Sequence, residues 1–240
     1  MSSRSAAIAA RFDARASEYE RHAGLQRAVA ERLASLLPDL REPRVLEVGC
    51  GTGLFSRHLL ARYSGGTFLF SDLAPAMLAE CRRNLGDVSG GVAYDTALPD
   101  GPRHYGTFDL IALSMSLHWF PDPHATLASL RRRLAPGGKL IYATLGPDSF
   151  AEWRAVLAKS GLRSGLVALP ELPGIVAEER LTPDTSTLGF LRRMKAVGGI
   201  TPRDAYRPLS PGALRRAIRA ADARFGGKIT WHIVYGALAA

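Results

Sequence analysis

Apolar positions in the first forty residues recur at helical spacing. Ile8, Phe12 and Tyr19 fall on one face, and Leu25, Val29, Leu33, Leu36 and Leu37 form a second stripe ending at Pro38, which predicts two helices. From Arg44 the pattern shortens. RVLEV (44–48), TFLFSD (67–72), GVAY (91–94), FDLIALS (108–114) and KLIYATL (139–145) are compact apolar runs of the kind that form buried strands. Between them, LFSRHLLARY (54–63) and APAMLAECRRNL (74–85) read as helices, the second with Pro75 in its first turn. A further helix is expected over 123–134, capped by Asp122 and stopped by Pro136-Gly137-Gly138. Strands separated by helices at this spacing imply an α/β fold built on a mostly parallel, doubly wound sheet.

After residue 145 the regularity weakens. A helix around 150–157 leads into SGLRSGLVALPELPG (160–174), then IVAEERL (175–181) reads as a strand and 187–197 as a helix. Ser210-Pro211 opens another helix, with Leu214, Ile218, Ala221 and Phe225 on one face and Arg215, Arg216 and Arg219 off it. ITWHIVYGALA (229–239) closes the chain as a strand. The pattern suggests one domain: N-terminal helices over 1–40, a core over 41–146, and a lid with closing strands over 147–240.

Composition narrows the class. The chain has 240 residues, 47% of them hydrophobic and 22% charged, which suits a single soluble domain with a full core. No apolar run approaches the ~18 residues of a membrane span. The first residues lack the apolar stretch of a secretory signal, and Asp13, Glu18 and Glu20 speak against an organelle transit peptide. Cys50 and Cys81 are the only cysteines, too few for a disulfide framework or zinc cluster, so a reducing, cytoplasmic setting is expected. Charge is unevenly placed. Residues 191–230 hold ten basic side chains, among them Arg192, Arg193, Arg215, Arg216 and Arg219, against Asp204 and Asp222. That segment carries +8 of the net +9, a bias that favours an acidic partner or is simply a solvated surface.

The candidate chemistry starts at the first strand. Glu47, Gly49, Gly51 and Gly53 frame a strand-to-helix turn in which glycines permit sharp bends and close approach of a ligand to the main chain. Dinucleotide-binding turns share this feature, but their spacing requires glycine where this chain has Leu54. An anion at Glu47 repels a pyrophosphate and suits a ligand bearing an ammonium and a sulfonium. Asp72 ends the second strand, where a carboxylate either accepts ribose hydroxyls or caps the following helix. Met77 and Leu78 are core residues or adenine contacts, and Asp95 receives an adenine amino group or caps a loop.

These motifs, with FDLI and PGGKL, resemble the class I methyltransferases from about Val45 to Thr144. The resemblance implies a Rossmann-like, seven-stranded sheet with S-adenosyl-L-methionine across the strand ends. It adds Leu73 and Thr96 to the cofactor set and places Ser114 by the methyl group. Absences narrow the acceptor. Ser114-Met115-Ser116-Leu117-His118-Trp119 replaces the Asn/Asp-Pro-Pro-Tyr segment of amine-methylating nucleic-acid enzymes, and no cysteine stands there for cytosine C5 chemistry. Nucleic acid is therefore a poor candidate partner, and no metal constellation is evident.

Outside the core, IAARFDARASEYERHAGLQRAVAERL, LSMSLHWFPD, ATLGPDSFAEWR, GFLRRMKAVGGIT and ITWHIVYGALA resemble the malonyl-acyl-carrier-protein O-methyltransferase family of biotin synthesis. The stretch from Lys159 to Pro173 departs from that pattern in being shorter and lacking its phenylalanine-plus-acidic segment. The resemblance implies methylation of a malonyl carboxylate, with Tyr19, His118 and Trp119 positioning substrate or packing in the core. It also implies acidic acyl carrier protein as the partner of the basic segment.

Overall fold

The structure is a computed structural model that describes residues 3–88, 91–96, 106–197 and 206–240. Strands β1 (Arg44–Val48), β2 (Thr67–Ser71), β3 (Val92–Asp95), β4 (Phe108–Ser114), β5 (Leu134–Leu145), β6 (Ile175–Leu181) and β7 (Trp231–Ala239) form one sheet, ordered β3-β2-β1-β4-β5-β7-β6. The first five run parallel, and β7 is antiparallel to both β5 and β6. The strand order reverses between β1 and β4, where a doubly wound sheet opens a crevice at its carboxyl end.

Period-two alternation assigns each central residue to one of two cores. Val45, Phe70, Leu110 and Ile141 face α3 (Gly24–Ala34) and α4 (Ser56–Arg62). Their neighbours Leu46, Leu69, Ile111 and Leu140 face α6 (Pro123–Arg131). Burial on both faces explains why these strands read as continuous apolar runs. The other helices are α1 (Ser3–Asp13), α2 (Tyr19–His22), α5 (Pro75–Leu85), α7 (Ala151–Lys159), α8 (Thr187–Ala196) and α9 (Pro211–Phe225). Side-chain oxygens cap three of them: Asp122 accepts from Ala125 N, Ser186 from Gly189 N and Ser210 from Ala213 N.

The sequence pattern misses in three places. Helix α1 stops at Asp13, so Tyr19 does not share its face with Ile8 and Phe12; it starts α2 after a 3-10 turn. Helix α3 ends at Ala34, which leaves Leu36 and Leu37 in the turns that follow. Helix α6 ends at Arg131, because Leu134 pairs with Phe108 before the register jumps to Leu110 opposite Lys139. Pro136-Gly137-Gly138 therefore makes a bulge inside β5 rather than a helix stop. Gly137 has φ +77, and a Cβ on Gly138 would lie 2.9 Å from the carbonyl oxygens of Ala135 and Phe108. In α9, Ala213, Ala217 and Ala221 form the buried stripe with Leu214, Ile218 and Phe225 half-buried beside it. That leaves Arg215, Arg216 and Arg219 exposed. No helix among the described residues is long and apolar enough to cross a membrane.

Candidate active site

A cavity of about 390 Å³ opens over the carboxyl ends of the parallel strands, beneath the N-terminal segment. Its size is that of a small-molecule site. The floor is the turn after β1. Gly49 N and Cys50 N both donate to Ser71 O, at 2.7 and 2.9 Å, which hooks the turn over the end of β2. Positive φ values at Gly49 (+75), Gly51 (+56) and Gly53 (+90) are reached cheaply only by glycine. The three differ in what they face. A Cβ on Gly49 would overlap Ser116, one on Gly53 would press on Cys81 Sγ at 3.1 Å, and one on Gly51 would meet nothing within 4 Å. Only Gly51 leaves the main chain open to a ligand.

Two carboxyls stand at this end of the cavity, Glu47 buried and Asp72 half-buried. Glu47 Oε2 accepts from Ser56 Oγ at 2.6 Å, and burial pushes its carboxyl well above the usual carboxylate range against that hydrogen bond. Asp72 accepts from Gly51 N through Oδ2 and from Ala74 N through Oδ1, both at 2.9 Å. Burial raises its pKa too, opposed by those N–H groups. The Asp72 side chain makes no cap for α5, whose N-cap is Ala74. Neither carboxyl has a basic partner among the described residues.

The other end is apolar. Leu117–Trp119 form a 3-10 turn after β4, held under α1 by Arg4 Nη1 donating to Trp119 O at 3.3 Å and by Phe12 edge-on to Trp119 at 5.3 Å. His118 Nδ1 lies 3.0 Å from Thr144 Oγ1. Burial, helped by the Arg4 charge, lowers the imidazole to about 3, so it is neutral at pH 7. Burial, with the nearby Asp72 and Glu20 carboxyls, lifts the Tyr19 phenol out of the physiological range, and burial pushes the Cys50 thiol up.

Ten of the fourteen residues singled out for the site line this cavity: Tyr19, Glu47, Gly49, Gly51, Asp72, Leu73, Met77, Ser114, His118 and Trp119, while Leu78 packs in the core. Gly53 packs against α5 instead, and Asp95 and Thr96 lie outside the lining. Asp95 is half-buried at the end of β3, where its carbonyl accepts from Asp72 N, and Thr96 is exposed.

The sequence reading missed much of the wall. Arg4 and Ser5 come from α1, Gln26 from α3, Leu166 and Val167 from the shortened stretch, and Met194 from α8. Met115 (φ +54) and Phe150 (φ +63) are non-glycine residues in the left-handed region, both on the wall. Trp231 Nε1 and Gln26 Oε1 are buried there without a hydrogen-bond partner. The N-terminal cover is pinned by Asp13, which accepts from Ala76 N at 2.8 Å, and by Glu20. Glu20 Oε1 accepts from Thr52 at 3.0 Å, Arg57 at 2.7 Å and Asn84 at 3.1 Å. Both acids are visible in the sequence, but nothing local signals their long-range partners.

Known proteins resemble this chain in sequence and in fold. Residues 46–140 match a methyltransferase-domain family model. A malonyl-[acyl-carrier protein] O-methyltransferase from Magnetococcus marinus is 37% identical, over 92% of this chain and 88% of that protein. A biotin biosynthesis bifunctional protein BioCD from Bordetella avium is 40% identical over 95% of this chain, which spans 51% of that longer protein. In fold, a chain from the complex of the Haloferax volcanii Trm112 methyltransferase activator superposes with a TM-score of 0.57 at 14% identity, over 95% of this chain and 97% of that one. With a sheet, a glycine turn and a relative matched nearly end to end, the chain belongs to the malonyl-[acyl-carrier protein] O-methyltransferase family of S-adenosylmethionine-dependent methyltransferases.

Proposed function

We propose that the chain methylates the free carboxylate of a malonyl thioester carried on acyl carrier protein, for biotin synthesis. The observation that carries this reading is that, among the described residues, no side chain at the apolar end of the cavity is a usable base. His118 stays neutral with a pKa of about 3, and the Tyr19 phenol and Cys50 thiol stay protonated. An alcohol or amine acceptor needs a group to take its proton, whereas a carboxylate, with a reference pKa near ~4, is a nucleophile already. The work left to the protein is alignment and exclusion of water.

The donor end suits S-adenosylmethionine, which supplies a methyl group on a sulfonium. Neither buried Glu47 nor half-buried Asp72 meets a cation among the described residues, so a ligand bearing an ammonium and two ribose hydroxyls relieves both. In this reading Asp72, held by Gly51 N and Ala74 N, uses its remaining lone pairs on the ribose. Gly51 lets the ligand reach the turn, Leu73 and Met77 flank the base, and Ser114 borders the methyl. Tyr19 and Trp119 wall the acceptor. Gly53 shapes the turn from behind, against α5, and Asp95 and Thr96 lie outside the lining.

The test is mass spectrometry of malonyl and acetyl thioesters after incubation with S-adenosylmethionine. The malonyl compound should gain one methyl and the acetyl compound none. Absence of methylated malonyl product would overturn the acceptor assignment and leave the family's methyl-transfer chemistry in place.

The basic segment supports the carrier-protein part. Arg192, Arg215, Arg216 and Arg219 are exposed, and they make no ion pair among the described residues. Arg193 differs, being held at 2.9 Å by the buried Asp184. Such rim charges govern encounter more than chemistry. Replacing Arg215 and Arg219 by Glu should raise KM for malonyl-carrier protein by about tenfold at low salt, within the range that association rates span among mutants. Values of kcat and all malonyl-pantetheine kinetics should hold. Equal losses on both substrates would tie these arginines to the fold instead. The two cysteines are free and buried, which suits a cytoplasmic enzyme.

A further inference from the structure

We propose that Arg4 of α1 receives the free carboxylate of the acceptor, and so separates the charged substrate from its neutral methyl ester. The inference rests on the acceptor reading above. Among the described residues, Arg4 is the only lysine or arginine that lines the cavity. It forms no ion pair there, and its one hydrogen bond, to Trp119 O, is long at 3.3 Å and uses one of five N–H donors. Its charge acts on His118 and its contact is with Trp119, so it sits by the turn after β4. Glu47 and Asp72 belong to the ends of β1 and β2.

An acceptor carboxylate entering an apolar cavity that already holds two carboxyls is opposed unless a cation meets it. A guanidinium meets that need well. Its planar fork holds a carboxylate in a fixed plane and still leaves a lone pair on one oxygen for attack. In the transfer, that oxygen forms the new C–O bond to the methyl carbon while the C–S bond breaks and its electron pair returns to sulfur. No proton moves. The product ester is neutral and loses its ionic partner, which favours release.

The test uses the full chain, malonyl-pantetheine, its methyl ester and S-adenosylhomocysteine. Arg4→Gln should raise KM for malonyl-pantetheine about 10- to 100-fold, the range for a lost charge-assisted contact. Arg4→Lys, which keeps the charge and loses the fork, should fall between. The methyl ester's inhibition constant should barely move, so the gap between substrate and product closes in Arg4→Gln. S-adenosylhomocysteine affinity by calorimetry should hold. Unchanged KM overturns the assignment. An equal fall in S-adenosylhomocysteine affinity also overturns it, since Arg4 then serves the donor's own carboxylate or merely docks α1. A wild-type chain inactive on malonyl thioester sinks the functional reading itself, and that result is read before any variant is made.

Discussion

Gly49→Ala should cost more stability than any other single methyl added to the turn after β1, and should abolish cofactor binding with it. The backbone there sits at φ +75, where a side chain costs about 1–2 kcal/mol. Its Cβ would also overlap Ser116 Cβ and lie 2.9 Å from Ser116 Oγ. Ser116 cannot swing aside cheaply, because it is buried and its hydroxyl donates to Val48 O at 2.6 Å. Overpacking and loss of that bond bring the expected total to about 3–5 kcal/mol. Gly51→Ala is the matched control. Its φ of +56 carries similar strain, but nothing lies within 4 Å of the added methyl. It should lose about 1 kcal/mol of stability while its cofactor affinity falls, since the methyl occupies the approach to the turn. Adding Ser116→Gly to Gly49→Ala should recover much of the melting temperature. A Gly49→Ala chain that melts with the wild type would show that the turn has room this packing denies.

The residues legible in the sequence are those whose chemistry is local. Glu47, Gly49, Gly51 and Asp72 stand at strand ends or in one turn, so run length and spacing locate them, and all four line the cavity. Asp95 and Thr96 follow the same logic at β3, yet Thr96 turns to solvent and neither reaches the cavity. At the acceptor end only Tyr19, His118 and Trp119 are legible, through the family resemblance, because the rest is assembled from α1, α3, α8 and the start of β7, far apart in the chain. Gln26 lies within the second expected helix and Trp231 within the closing strand, and only tertiary packing buries their polar atoms without partners. The break between Phe12 and Tyr19 was hidden for a related reason: a helical period continues across a kink, and the rings still meet, 6.3 Å apart. In β5, Pro-Gly-Gly is a stop signal by local rules, but pairing of Leu134 with Phe108 overrides it.

Asp72→Ala should separate ligand affinity from fold stability. Without ligand, two effects oppose each other. Gly51 N and Ala74 N lose their acceptor, while a carboxyl disfavoured by burial disappears. Its raised pKa means that the charged form weighs against the fold above the unfolded pKa, so removing it returns stability at neutral pH. The ligand-free melting point should therefore move little. Binding has no such compensation. In the proposed binding mode two ribose hydroxyls would lose a charged acceptor, and Gly51 N would lose its anchor. Affinity for S-adenosylhomocysteine should fall by about 2–4 kcal/mol, or roughly 30- to 1,000-fold. Ligand at 100 times the wild-type Kd stabilises the wild type by about 2.7 kcal/mol, and the variant should gain under about 1 kcal/mol from the same concentration. Melting curves with and without ligand give both quantities in one experiment. If the ligand stabilises both chains equally, Asp72 does not hold the ribose, and its raised pKa reports only a carboxyl that the turn needs for Gly51 and Ala74.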